Sequence, residues 1–259
     1  MESPEKDFTF EEPSLDVLTD FKSVMNSDQN HRICILGPSE SGKTRKCFSL
    51  LEDVYLESSN SFVYVVYSQN PHTLKTWEAF FNFHNVEDNL ILIEGDENDL
   101  KLKQFLDSTQ KVDSSSKVRF FLILDDFIGS TNNSSLEKKK QILNFIFYQG
   151  RHNGITSCFI TQTIIALDAR LLSSCTVTIL CQDESLTTLT DHTYSKILSK
   201  ADAFMKRNNL LPNIKSRASR ISTYYNLITE VLDSDKYEAL VLWKQRRKTR
   251  IAIIKDESK

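Results

Sequence analysis

The chain of 259 residues is 40% hydrophobic and 26% charged, with a net charge of -3, the proportions of a globular protein able to bury a core. So small a net charge excludes a uniformly basic nucleic-acid coat and leaves only a local basic surface for such a partner. Five cysteines, Cys34, Cys47, Cys158, Cys175 and Cys181, form no CxxC pair, which argues against a disulfide framework or structural zinc and for a reducing compartment.

Residues 1–30 are polar and acidic, without the basic stretch and apolar core of a secretory signal. They read as a leader followed by a short amphipathic helix over 15–25 that feeds into the core. No run approaches the roughly 18 apolar residues of a spanning helix, so an intracellular protein with no membrane span is expected. From His31 the pattern changes. The apolar runs 33–36, 62–67, 90–93, 120–124, 157–161 and 176–180 lack polar alternation, as strands covered on both faces do. Between them, 43–55, 74–83, 99–110, 136–148 and 164–172 are long enough for crossover helices. This alternation predicts an α/β fold with a doubly wound, mainly parallel sheet.

Ser-, Asn- and Asp-rich stretches at 57–61, 113–116 and 130–135 read as surface loops. Residues 185–233 read as helical and basic, and 238–244 with 249–254 as a β-hairpin that forms a subdomain or flanks the same sheet. The expected layout is a leader over 1–30, a core over 31–184 and an extension over 185–259. Trp77, Phe80, Phe81 and Phe83 fall at helical spacing and read as core. Lys138, Lys139 and Lys140 read as surface charge.

Gly37, Pro38, Ser39, Glu40, Ser41, Gly42, Lys43 and Thr44 match G-x-x-x-x-G-K-[ST] in full, with an apolar strand before and a helix pattern after. The two glycines let the backbone curl so that successive N–H groups face a phosphate. The helix that follows offers its N-terminal dipole to the same anion. Lys43 is expected to reach the β- and γ-phosphates of ATP, and the Thr44 hydroxyl to ligate Mg²⁺. A second apolar run ends in Asp125 and Asp126. Asp125 fits the Mg²⁺ partner, and Asp126 is placed to orient or deprotonate the attacking water. No Asn-Lys-x-Asp guanine reader is present.

Further along, Arg151 precedes an apolar strand and Gln162 stands at that strand's carboxyl end. Carboxyl ends of parallel strands face the ligand in such folds, so Gln162 is expected near the γ-phosphate. The P-loop, the strand ending Asp125-Asp126, the segment Gly150-Arg151-His152-Asn153 and the strand ending in Gln162 together resemble one group. Over roughly residues 25–182 their order and spacing are similar to those of the genome-packaging ATPases of large DNA viruses (poxvirus type) and virophages. These belong to the FtsK–HerA superfamily of ring-shaped DNA translocases.

That resemblance implies a P-loop NTPase with a RecA/FtsK-like core that hydrolyses ATP with Mg²⁺ and assembles as a homo-oligomeric ring. It implies double-stranded DNA and a viral capsid or portal vertex as partners. It also implies a place in the host-cell cytoplasm (the viral factory) or in the virion. An arginine from the neighbouring subunit would complete the site, with Arg151 the first candidate and Arg170 the second; such a group is worth about 10³–10⁵ in rate. A translocase needs cations that touch phosphates without reading bases. Two segments supply them: Lys196, Lys200, Lys206, Arg207, Lys215, Arg217 and Arg220, and the hairpin residues Lys244, Arg246, Arg247, Lys248 and Arg250. A cellular or plasmid translocase of the same superfamily, or a slowly hydrolysing ATP-gated scaffold, is the alternative. The complete set Lys43, Thr44, Asp125, Asp126 and Gln162 favours turnover.

Overall fold

The computed structural model describes residues 25, 30–37, 39–56, 62–95, 99–110, 118–127, 133–162, 171, 174–181, 239–245 and 248–254. The helices expected over 15–25, 164–172 and 185–233 fall outside these, apart from single residues.

Each apolar run forms a strand, and each described spacer a helix. β1 (Arg32–Leu36) leads into α1 (Lys43–Leu50), which continues as a π-helical segment, Leu51–Leu56. Then come β2 (Phe62–Ser68), α2 (Pro71–Phe83), β3 (Leu90–Glu94), α3 (Leu100–Thr109) and β4 (Arg119–Asp125). α4 (Asn133–Tyr148), a 3₁₀ turn (Gly150–Asn153), β5 (Ile155–Thr161), β6 (Val177–Cys181), β7 (Ala239–Gln245) and β8 (Lys248–Ile254) follow. α2 starts sharply because Asn70 caps it, accepting from the His72 N–H at 2.9 Å, and because Pro71 needs no backbone partner in the first turn.

The strands make one sheet in the order β3-β2-β4-β5-β1-β6-β7-β8. Neighbours from β3 to β6 run parallel, whereas β7 pairs antiparallel with β6 and β8 with β7. Of the two placements open for the hairpin, the flank of the core sheet is the one observed. Trp243 is buried there, opposite Val177.

Strand periodicity of two sorts the core into two layers. On one face Leu122, Leu124, Val65, Tyr67 and Phe159 pack under α3 and α4 with Leu102, Leu106, Leu143 and Phe147. On the other, Ile33, Ile35, Phe121, Ile123 and Ile160 pack under α1 and α2 with Cys47, Leu50, Trp77 and Phe81. Residue 125 continues the series 121, 123, so the end of β4 meets the α1/α2 face. All five cysteines are buried free thiols. Of the aromatic set read as core, Trp77 and Phe81 are buried and Phe80 is partly buried, but Phe83, on the outward face of α2, is 80% exposed, so the core reading of Phe83 is corrected.

Truncating Trp243 tests whether the hairpin is integral. Trp243→Ala is expected to lower unfolding stability by about 3–5 kcal/mol in chemical denaturation, with a single transition. An unchanged midpoint would mean the hairpin contributes nothing to the sheet.

Candidate active site

The P-loop leaves β1 between two neighbouring strands. The Gly37 N–H donates to the Thr161 carbonyl at 3.4 Å, which ties the loop's first residue to the end of β5. A Cβ on Gly37 would lie 2.4 Å from Ser41 Oγ and 2.9 Å from Cys181 Cβ, so steric space demands glycine here. Farther round, Glu40 (φ 62°) and Gly42 (φ 79°) are both left-handed. Left-handed residues at alternate positions turn successive N–H groups inward, making an anion-binding concavity ahead of the α1 N-terminus. Lys43 opens α1 and is largely buried beneath the loop. Pro38 lies outside the described residues.

Asp125 meets this loop from the end of β4. The carboxylate is 3% exposed and is held from two elements. The indole Nε1–H of Trp77 donates to Oδ2 at 2.9 Å, and the Thr44 hydroxyl is a second hydrogen-bond partner. Burial pushes the carboxyl up to about 6; the Asp126 charge adds to this, while Trp77, Lys43 and Thr44 oppose it. Lys43, Thr44, Asp125 and Asp126 therefore share one electrostatic neighbourhood. Asp126 follows at φ 53°, a left-handed conformation for a residue with a side chain.

Gln162 is exposed directly after Thr161, the residue bonded to Gly37. It thus borders the loop from the β5 side. Arg151 does not join this group. It sits in the turn before β5, and β5 is seven residues long, so its ends lie roughly 20 Å apart at about 3.3 Å per residue. At that far edge Asn30 Nδ2 donates to the Arg151 carbonyl at 2.7 Å, and Arg151 Nε donates to His152 Nε2 at 3.1 Å. Arg32 lies close by, its guanidinium donating to the Phe147 carbonyl at 3.1 Å. Burial and then the Arg151 charge push the Arg32 pKa down. The carboxyl end of β7 reaches the same edge, because β7 runs antiparallel to β6 and Trp243 pairs with Val177. Arg170 and the basic set from Lys196 to Arg220 are outside the described residues, as are Arg246 and Arg247.

Two residues at this site escape the motif reading. Trp77 is core, as expected, but its one polar atom is spent on Asp125. A buried indole N–H needs an acceptor, which is the signal that could have flagged it. Lys139 is 1% exposed, so the reading of that lysine as surface charge is corrected; Lys138 beside it is exposed. Among the described residues no helix is long and apolar enough to cross a membrane.

The family model described as Poxvirus A32 protein matches residues 19–243. No curated protein matches the chain. The genome packaging NTPase B204 from Sulfolobus turreted icosahedral virus 2, solved in complex with AMP, is similar at 14% identity with a TM-score of 0.51, covering 85% of this chain and 96% of that one. EssC (ATPases 2 and 3) from Geobacillus thermodenitrificans is similar at 13% identity with a TM-score of 0.51, covering 90% of this chain and 40% of that one. At such identities the likeness shows a shared fold, the doubly wound P-loop core.

The buried carboxylate makes a pH prediction. A rise of the Asp125 pKa from 3.8 to about 6 corresponds to at most about 3 kcal/mol against the charged form. Because the folded value is the higher one, this stabilising contribution is full below pH 4 and lost as pH rises through 6. In nucleotide-free protein with chelator at pH 7.5, Asp125→Asn is expected to raise the melting temperature by several degrees. It should also flatten the decline in melting temperature between pH 5 and 7.5. A lower melting temperature for the variant would contradict the burial argument. Trp77→Phe keeps an aromatic side chain but removes one of the carboxylate's two hydrogen bonds, and is expected to lower turnover about tenfold in a steady-state ATPase assay.

Proposed function

The chain belongs to the poxvirus A32 protein family and is a P-loop ATPase, and from that premise we propose that it drives double-stranded DNA into a viral capsid by hydrolysing ATP. The observation that carries the chemistry is the meeting of Thr44 and Asp125 beside Lys43 at one sheet edge, with Asp126 and Gln162 flanking it.

In this reading the backbone N–H groups between Ser39 and Thr44 cradle the phosphates, and the Lys43 ammonium neutralises charge on the β- and γ-phosphates. The donor set suits Mg²⁺. Thr44 and Asp125 offer hard oxygens, and the Asp125 carboxylate is buried at a desolvation cost that an adjoining cation would offset. Thr44 directly and Asp125 directly or through water would hold the ion, which when bound offsets the charge on the phosphate oxygens. Asp126 accepts a hydrogen bond from the attacking water and aligns it. Gln162, bordering the loop, contacts the same water or the γ-phosphate and senses whether the bond is broken.

Arg151 acts in trans. Its distance from its own P-loop along β5 keeps it from that site, and in this reading it serves a neighbour's within a ring of identical subunits. The edge carrying Arg32, Arg151 and the adjoining ends of β7 and β8 is the surface we assign to the neighbouring subunit and to DNA phosphates. Such contacts position the duplex without reading its sequence. The capsid or its portal vertex would receive the ring, in the cytoplasm of an infected cell or within the virion.

The decisive experiment is an ATPase assay with and without duplex DNA, alongside sizing of the assembly. Lys43→Ala is expected to abolish nucleotide binding. Asp126→Asn should keep it and lower kcat about 10²–10³-fold. Duplex DNA should stimulate the wild type, with a steep loss of stimulation as salt rises. Mixing Arg151→Ala with Lys43→Ala should restore part of the turnover that each lacks alone, because mixed interfaces regain one intact site. A monomer whose hydrolysis is indifferent to DNA would sink the motor reading and leave only an ATPase.

A further inference from the structure

Behind the P-loop, on the other face of the sheet, lies a second buried polar group. Lys139 projects from α4, 1% exposed. Its ammonium donates to the carbonyl of Phe127 and stands 5.1 Å over the Phe127 ring. Burial pushes the Lys139 pKa down, and the Asp99 carboxylate pulls it back up. Asp99, 4% exposed, accepts from the Tyr67 hydroxyl. Tyr67 in turn packs edge-on against the Phe127 ring, with centroids 5.2 Å apart. Gly95 leaves the room this needs, since a Cβ there would meet Tyr67 Oη at 2.4 Å. Tyr67, Asp99 and Lys139 bring together β2, the start of α3 and α4, with Asp99 bonded to Tyr67 and acting on Lys139 through its charge, and the ammonium ends on one backbone oxygen.

That oxygen belongs to the residue after Asp126. Asp126 is left-handed at φ 53°, a conformation that costs a side-chain-bearing residue about 1–2 kcal/mol and persists only where the surroundings over-determine it. Here both neighbours are fixed. Asp125 is the last residue of β4 and is bonded to Trp77. Phe127 has its ring in the core and its carbonyl on Lys139. The backbone of Asp126 is thus anchored on both sides.

We propose that Lys139 is a positioning residue for the ATPase reaction, setting the Asp126 carboxylate by holding the Phe127 carbonyl. The inference rests on the reading of Asp126 as the group that aligns the attacking water. Without the ammonium, the peptide after Asp126 rotates toward a relaxed conformation and the carboxylate leaves its line. A displacement of about 1 Å at a reacting group is worth about 100-fold in rate, whereas Phe127 packs in the core layer opposite the one covered by α1, the helix that follows the phosphate cradle.

The test uses the full chain, steady-state and single-turnover ATPase assays, a fluorescent ATP analogue and thermal melts. Lys139→Met is expected to lower kcat about 10- to 100-fold with the analogue's Kd unchanged, and Lys139→Arg to recover part of the loss. In an Asp126→Asn background, Lys139→Met should cost nothing further, because the group it positions is gone. A folded Lys139→Met protein with wild-type kcat overturns the proposal, and so does a full additional loss in the Asp126→Asn background. If Lys139→Met does not fold, Tyr67→Phe decides. It removes one hydroxyl and keeps the ring: a several-fold fall in kcat at unchanged analogue affinity supports the proposal, and an unchanged kcat overturns it. Wild-type turnover in Asp126→Asn alone refutes the parent reading instead, whatever Lys139 does.

Discussion

A carboxylate buried at 3% exposure is the constraint around which the site is organised. A charge removed from water must find partners or neutralise itself, and Asp125 finds them on separate elements: the indole N–H of Trp77 on α2, and the hydroxyl of Thr44 and charge of Lys43 at the start of α1. The pairing fixes the register between the end of β4 and the P-loop, two segments about 80 positions apart in the chain. It also explains why α2 must begin where it does. The Asn70 cap and Pro71 set the helix's phase, and that phase points Trp77 under the sheet edge instead of into solvent.

Around this anchor the backbone adopts conformations that side chains resist. Glu40 and Asp126 are left-handed without being glycine, each costing roughly 1–2 kcal/mol. Both occur within the phosphate-facing edge, one in the loop and one beside Asp125. The structure meets this cost by fixing what lies next to each residue: the tight pocket around Gly37 on one side, the core-bound Phe127 on the other. Preorganisation of this kind moves the cost of aligning charged groups from the reaction to folding.

The sheet and its strand ends were legible because buried parallel strands write uninterrupted apolar runs, and four of the crossovers between them, those described, left helical spacers. The P-loop and Asp125 were legible because phosphate chemistry restricts residue type at each position. Lys139 was misread from its two lysine neighbours. The better signal was its spacing: residues 139, 142, 143 and 146 fall on one helical face, and the last three are buried apolar side chains. Trp77 was read correctly as core, but composition could not reveal what its nitrogen would meet, because Asp125 is 48 positions away. Nor could the sequence choose the edge on which Arg151 lies until β5 had a direction.

That direction carries the last step of the argument. The nucleotide edge and the Arg151 edge are opposite ends of the same strands. β1 bears the P-loop at its carboxyl end, and Asn30, just before its amino end, is bonded to the Arg151 carbonyl. β5 bears Gln162 at one end and follows Arg151 at the other. Two adjacent, hydrogen-bonded parallel strands cannot stretch or bend independently by much, since any slip would break a ladder of bonds and move buried side chains across the register. A change at the phosphate end therefore reaches the arginine end as movement of a rigid unit, not as reordering of a loop. In the ring we propose, hydrolysis at one interface would be felt at the next through the body of the sheet, and β1 and β5 would be the mechanical link between neighbouring sites.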